Sequence, residues 1–208
     1  IDDRAVADYF SLGYVPDPRS IWVGIRKLPP AHTLTLPASA SHATDPKPNR
    51  YWEPVFEPDF SMTRERAIEE LHALLEESIA MRMIAEVPLG AFLSGGVDSS
   101  VVVALMAGLS KDPVKTCSIG FSEASVDESR YAQEVALQFR TDHFSRTVDS
   151  NDFALIDTLA AAYDEPFADS SALPTWRVCE LARTRVTVAL SGDGGDETFG
   201  GYRRYRMH

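Results

Sequence analysis

Two short stretches of this chain carry residues able to hold a phosphate. The first, LSGGVDSS, covers residues 93–100 and lies between the apolar runs VPLGAF and VVVALMAGL. Glycines let backbone N–H groups approach an anion with no Cβ in the way. At a helix start, successive N–H groups form an anion nest. Ser94, Ser99 and Ser100 add hydroxyl donors beside Gly95 and Gly96. The second stretch, SGDGGDE, covers residues 191–197 and repeats the layout after VTVAL. Both open on Leu-Ser-Gly, and both carry an aspartate four or five residues beyond the serine, Asp98 and Asp196. Taken singly, the first could be a turn whose Asp98 and Ser99 merely cap a helix, and the second a solvated turn. Together they predict two loops facing one ligand, with Asp98 and Asp196 as a divalent-cation pair. Magnesium commonly takes one or two carboxylates together with phosphate oxygens and water. Neither stretch is a Walker A loop: Gly90 and Gly95 have the right gap, but Gly96 and Val97 follow instead of Lys and Ser/Thr. Neither is GxGxxG.

The elements around these loops alternate. TRERAIEELHALLEESIAMRMIAE places Ile68, Leu71, Leu75 and Ile79 at helical spacing. VPLGAFL then reads as a buried strand and SSVVVALMAGL as a helix. VKTCSIGF is a second strand. SVDE, residues 125–128, is a capping box, and a helix follows with Tyr131, Val135 and Phe139 on one face. HFSRTV is a third strand, SNDFALIDTLAAAY a helix, and LPTWRVCELART another with Pro174 near its start. VTVAL is a fourth strand. Strand–helix alternation of this kind predicts an α/β fold, a parallel sheet with helices on both faces. Ligands in such sheets bind at the carboxyl edge, at a topological switch point. Both loops follow strands and fall on that edge.

Residues 1–60 have a different texture. They hold nine of the thirteen prolines. SIWVGI and HTLTL could be short strands, and residues 37–48 read as a mobile loop. The stretch is expected to be the tail of one domain plus a linker, with residues 61–208 forming the start of a second.

Composition narrows the function classes. A net charge of −11 argues against a nucleic-acid binder. It also means that a phosphate ligand needs a cation or local N–H donors. No apolar run reaches the roughly 18 residues of a membrane span. The two cysteines, Cys117 and Cys179, are too few for a disulfide framework, which fits a cytoplasmic setting; both are expected to be buried. The five histidines form no spaced cluster. The basic run YRRYRMH reads as a helix face.

LSGGVDSS resembles the pyrophosphate loop of the ATP-pyrophosphatase (PP-loop) superfamily. With SIGF, DEPFADSSALPTW and LSGDGGDETFGGY, it is similar to the synthetase domain of glutamine-hydrolysing asparagine synthetases. DEPFADSSALPTWRVCELARTRVTVALSGDGGDE also resembles an offshoot, the exosortase-associated amidotransferases. YFSLGYVPDPRSIWVGIRKLPPAHTL and YWEP resemble the end of the family's glutaminase domain. The resemblance implies a preference for ATP and Mg2+. It implies nucleotide contacts at Leu93, Ile119, Ser191 and Gly192, and a pyrophosphate cradle at Ser94, Gly95, Gly96, Asp98, Ser99 and Ser100. It implies Mg2+ at Asp98 and Asp196, and Asp193 where a well-studied branch has a catalytic glutamate. Asp193 is one methylene shorter, which leaves the base assignment open. The implied substrates are ATP, a carboxylate such as aspartate, and ammonia from glutamine, with neither nucleic acid nor membrane as partner; a homodimer is compatible with this. The chain starts with Ile1 instead of the family's nucleophilic cysteine and stops before a family lysine. It is expected to be an internal slice, inactive alone. The rival readings are a β-lactam-synthetase-like PP-loop ligase and a non-catalytic nucleotide-binding module.

Overall fold

A computed structural model describes residues 1–39, 45–123, 127–148 and 153–206. The chain divides into two units. Residues 1–61 and 154–170 form the first, and residues 62–153 and 171–208 form the second.

In the first unit, helix α1 spans Asp3–Leu12, where the sequence reading assigns no element. Its signals are local. The Asp2 side chain accepts from the Arg4 N–H, and Gly13, at φ +82°, closes the other end with its N–H on the Tyr9 carbonyl. Ala5, Val15 and Ile21 are buried together. SIWVGI is not a strand: Ser20 and Ile21 are buried, but the stretch turns, and only a bridge between Arg19 and Arg26 remains. HTLTL shrinks to β1, His32–Thr33, paired with β2, Asn49–Arg50. Of the loop expected over 37–48, residues 40–44 lie outside the described residues.

Residues 154–170 belong to this unit by their contacts, although sequence reading puts them in the second domain. Helix α5 (Ile156–Ala162) opens this excursion. Glu165 accepts the Ile21 N–H at 3.0 Å and pairs with Lys27, which also donates to the Val15 carbonyl at 2.6 Å. Ala168 donates to Gly13. An ion pair between residues so far apart in sequence leaves no local pattern to read.

The second unit holds α2 (Arg64–Arg82), β3 (Leu89–Phe92), α3 (Val97–Leu109), β4 (Lys115–Phe121), α4 (Ser129–Gln138), β5 (Asp142–Val148), α6 (Ala172–Arg183), β6 (Val188–Leu190) and α7 (Gly195–Phe199). The four strands pair in parallel in the order β5-β4-β3-β6. The α/β fold with a parallel sheet is therefore present, with separate cores on its two faces. Ala91 and Leu93 pack with Val103, Met106, Ala132 and Ala136 from α3 and α4. Cys117 packs with Leu181, Ala182 and Val186 around α6. Burying side chains such as Leu93, Val103 and Met106 stabilises the fold by roughly 1.5–3 kcal/mol each. That exceeds what a helix cap supplies, so α3 holds without one: Gly96, its N-cap, has no side chain to offer.

Two expected helix faces shift. On α4 the buried residues are Ala132 and Ala136, while Tyr131 is 59% exposed. Small side chains let the helix close on the sheet, and larger ones would hold it off. On α2 only Ile79 is buried; Ile68 and Leu71 are exposed. The first two residues of the capping box lie outside the described residues. Glu128 caps α4 without a side-chain bond. Asp127 instead accepts the Ser129 N–H and hydroxyl and the Phe121 N–H. These three bonds hold its carboxyl below its ordinary range and tie the end of β4 to α4.

The chain leaves β3 through β4 to β5, then returns to the other side of β3 as β6. The switch point lies between β3 and β6. Both candidate loops leave the sheet there.

Candidate functional site

The first loop begins where Leu93 donates its N–H to the Cys117 carbonyl at 2.9 Å and is itself buried. The serines then turn inward. The Ser94 and Ser99 hydroxyls lie 3.0 Å apart, and Ser99 Oγ reaches the Ser94 N–H and the Gly96 carbonyl. Ser100 Oγ donates to the same carbonyl at 2.7 Å, and Ser94 Oγ accepts the Gly96 N–H. These bonds close the loop on itself, and the first-turn N–H groups of α3 have no intrahelical acceptors. Gly95 sits at φ +86°, and a Cβ there would lie 2.5 Å from Ala132 N and Tyr131 Cβ. Only glycine fits both the left-handed backbone and the close approach of α4. Asp98 is in the first turn of α3, not at its cap.

The second loop is more exposed and bonded locally. Ser191 Oγ donates to Asp193 Oδ2 at 3.0 Å. Gly194 turns at φ +92°, and the Gly195 N–H reaches the Gly192 carbonyl. Glu197 accepts the Tyr202 hydroxyl at 2.7 Å. That bond lowers the Glu197 carboxyl and pushes Tyr202 up to about 12, so the pair is carboxylate and phenol.

The two loops meet at their glycines. A Cβ on Gly192 would lie 2.7 Å from Ser99 N and 2.8 Å from the Asp98 carbonyl carbon. A Cβ on Gly195 would lie 2.5 Å from Asp98 Cγ and 2.7–2.8 Å from both carboxylate oxygens. The backbone of the second loop therefore rests on Asp98, and the structure brings Asp98, Ser99, Gly192 and Gly195 together. Asp196 is on the same loop, but its Oδ1 is turned to Gly201. Ile119 is at the carboxyl half of β4, across from Arg146 on β5.

A cavity of about 770 Å³ opens beside the junction, against α2, α3 and the second loop. Asp98, Ser191, Gly192 and Asp193 line it, and so do Leu71, Leu75, Val101 and Phe199. Leu93, Ser94, Gly95, Gly96, Ser99, Ser100, Ile119 and Asp196 are not in its lining. The apolar row of α2, which the sequence offers as core, is a wall of this cavity. Sequence reading also leaves out Asp127 and Tyr202. The signals were present: an aspartate two residues before a helix start, and a tyrosine after the FGG that closes the second loop. Cys117 is buried as expected, whereas Cys179 is exposed. Among the described residues, no helix is long and apolar enough to cross a membrane.

A candidate asparagine synthetase (glutamine-hydrolyzing) of Methanocaldococcus jannaschii is 44% identical over all of this chain, which covers 40% of that protein. Asparagine synthetase (glutamine-hydrolyzing) 1 of Bacillus subtilis is 31% identical over 99% of this chain and 32% of its own length. The chain thus spans two fifths or less of these relatives. Among solved structures, an NH3-dependent NAD synthetase from Campylobacter jejuni aligns with a TM-score of 0.42 and 13% identity. The alignment covers 68% of this chain and 61% of that one, too distant a likeness to assign any residue a role. The asparagine synthase family model matches residues 70–208, which contain both loops, the four-stranded parallel sheet and the glycine junction between them. By that match the chain belongs to the asparagine synthase family.

Proposed function

We propose that this chain is part of an ATP-dependent, glutamine-hydrolysing amidotransferase of the asparagine synthetase type. Residues 1–60 would be the tail of its glutaminase domain, and residues 61–208 the first part of its synthetase domain. The observation that carries the reading is the seating of Gly192 and Gly195 on Asp98, because two loops that meet over one carboxylate can grip one ligand.

In this reading the first-turn N–H groups of α3, with Gly95 and Gly96, cradle the β- and γ-phosphates of ATP. Leu93, Ile119, Ser191 and Gly192 border the nucleotide, and Ser94, Ser99 and Ser100 hold the loop in its cradle shape. A substrate carboxylate, aspartate being the expected one, attacks the α-phosphorus. The bond from that phosphorus to the bridging oxygen breaks, and pyrophosphate leaves. The product is an acyl-adenylate, whose leaving group is AMP instead of oxide. Ammonia attacks its carbonyl carbon, AMP departs, and the nitrogen loses a proton. Asp193, exposed and bonded to the Ser191 hydroxyl, would be the carboxylate that receives that proton.

Magnesium fits the donor set. Asp98 offers a hard oxygen ligand at the loop junction, and Asp196 a second after rotation away from Gly201. Among the described residues, no three His, Cys, Asp or Glu side chains gather for a metal. The remaining ligands would be phosphate oxygens and water. When bound, the ion neutralises charge developing on pyrophosphate.

The deciding experiment follows pyrophosphate release by the full-length protein given ATP, ammonia and a panel of carboxylates. Release that depends on one carboxylate, with amide and AMP formed in equal amounts, is expected. Cyclisation without ammonia, or no release with any carboxylate, overturns the proposal.

A further inference from the structure

The FGGY that follows the second loop builds a clamp. α7 ends at Gly200, which turns at φ +67° and donates its N–H to the Asp196 carbonyl. Gly201 donates to the same carbonyl at 3.0 Å. The chain thereby doubles back over the acidic pair. A Cβ on Gly201 would have to displace the Asp196 carboxylate, whose Oδ1 occupies its place. The return delivers the Tyr202 hydroxyl to Glu197 Oε1 at 2.7 Å. Tyr202 is itself held: the Arg204 guanidinium lies 4.4 Å over its ring, and Tyr205 meets it edge-on at 5.6 Å.

We propose that Tyr202 is the positioning residue of the second loop, its hydroxyl fixing Glu197 and, with the Gly200-Gly201 return, the backbone turn at Asp196. The clamp itself stands on the contacts above; its effect on a ligand rests on the nucleotide reading. A free carboxylate beside a triphosphate can rotate toward it and repel it, and a loose loop must be ordered on binding. A tethered Glu197 and a backbone already turned at Asp196 avoid both losses, leaving only the Asp196 side chain to rotate. Tyr202 touches no reacting atom in this account.

The test compares wild type, Tyr202→Phe and Glu197→Gln in the full-length protein, with two readouts. Without ligand, hydrogen–deuterium exchange across residues 193–199 is expected to be at least about threefold faster in Tyr202→Phe, with an unchanged melting temperature. With ATP present, Mn2+ binding, read from the electron paramagnetic resonance of free Mn2+, is expected to weaken about three- to tenfold. Glu197→Gln keeps an acceptor for the hydroxyl and is expected to retain wild-type exchange. Wild-type exchange and wild-type Mn2+ affinity in Tyr202→Phe overturn the proposal. Faster exchange in a protein whose wild type binds no Mn2+ with ATP upholds the clamp and removes the nucleotide reading instead.

Discussion

The two loops open on the same three residues and are held in opposite ways. The first is set by tertiary packing. Gly95 is pressed against α4, Leu93 is in the core, and all three serines bond back into the loop. The second is set by bonds to its own neighbours, Ser191 to Asp193 and Tyr202 to Glu197, with its side chains largely exposed. Under the proposed function, the difference would assign tasks. A phosphate cradle needs backbone N–H groups that do not move, and packing supplies that rigidity. The second loop, bonded to its neighbours, depends on its own turns. Gly194 and Gly200, both at positive φ, bracket it.

That contrast can be broken at its strongest point with Gly95→Ala. The substitution combines a left-handed backbone, costing about 1–2 kcal/mol for an L-residue, with overpacking costing about 1–3 kcal/mol. Urea denaturation should show a loss of about 2–5 kcal/mol. A loss below about 0.5 kcal/mol would show that packing against α4 does not set the first loop.

Gly192→Ala sharpens the comparison at the junction. Its Cβ would push on the Asp98–Ser99 backbone, with an expected destabilisation of about 1–3 kcal/mol. ATP binding, measured calorimetrically, should fall much further than stability does. Equal ATP affinity in a folded variant would separate the two loops functionally. Asp98→Asn keeps shape and changes charge. Its stability should stay within about 0.5 kcal/mol of wild type, while metal-dependent ATP binding drops by about tenfold or more.

The smallest expected effect is a pH dependence away from both loops. His143 on β5 uses both ring nitrogens: Nδ1 lies 2.8 Å from Thr116 Oγ1, and Nε2 lies 3.3 Å from Ser118 Oγ. Burial holds its pKa below the ordinary 6.5. The unfolded chain therefore takes up the proton first, and the stability this histidine supports is lost as pH falls below about 6.5. His143→Gln should flatten the dependence of the denaturation midpoint on pH below about 6.5. An unchanged slope would place the acid sensitivity elsewhere.

Much of the second unit was legible because its strands are short apolar runs between helical periods. VKTCSIGF and HFSRTV became β4 and β5 almost to the residue. The loops were legible because glycine and serine clusters between such runs have few uses. What escaped depended on partners distant in sequence. Residues 154–170 have a helical period that says nothing of Lys27, their anchor. The apolar face of α4 was misplaced because alanines carry little hydrophobic signal, though their smallness decides the packing. Asp98 was legible as a loop carboxylate. That Gly195 would rest upon it was not, since glycine spacing does not encode which backbone it touches. α1 was passed over inside a proline-rich region, although Asp2 and Gly13 mark both its ends.

The two thiols lie at opposite extremes: Cys117 is sealed beneath α6, and Cys179 is open to solvent. Burial raises the Cys117 thiol, and partial cover raises Cys179 as well, so both react more slowly than a free thiol. A maleimide should nonetheless label Cys179 first and reach Cys117 only when β4 parts from α6. Counting attached labels against time would then clock the opening of the sheet in the unaltered protein, with no engineered probe.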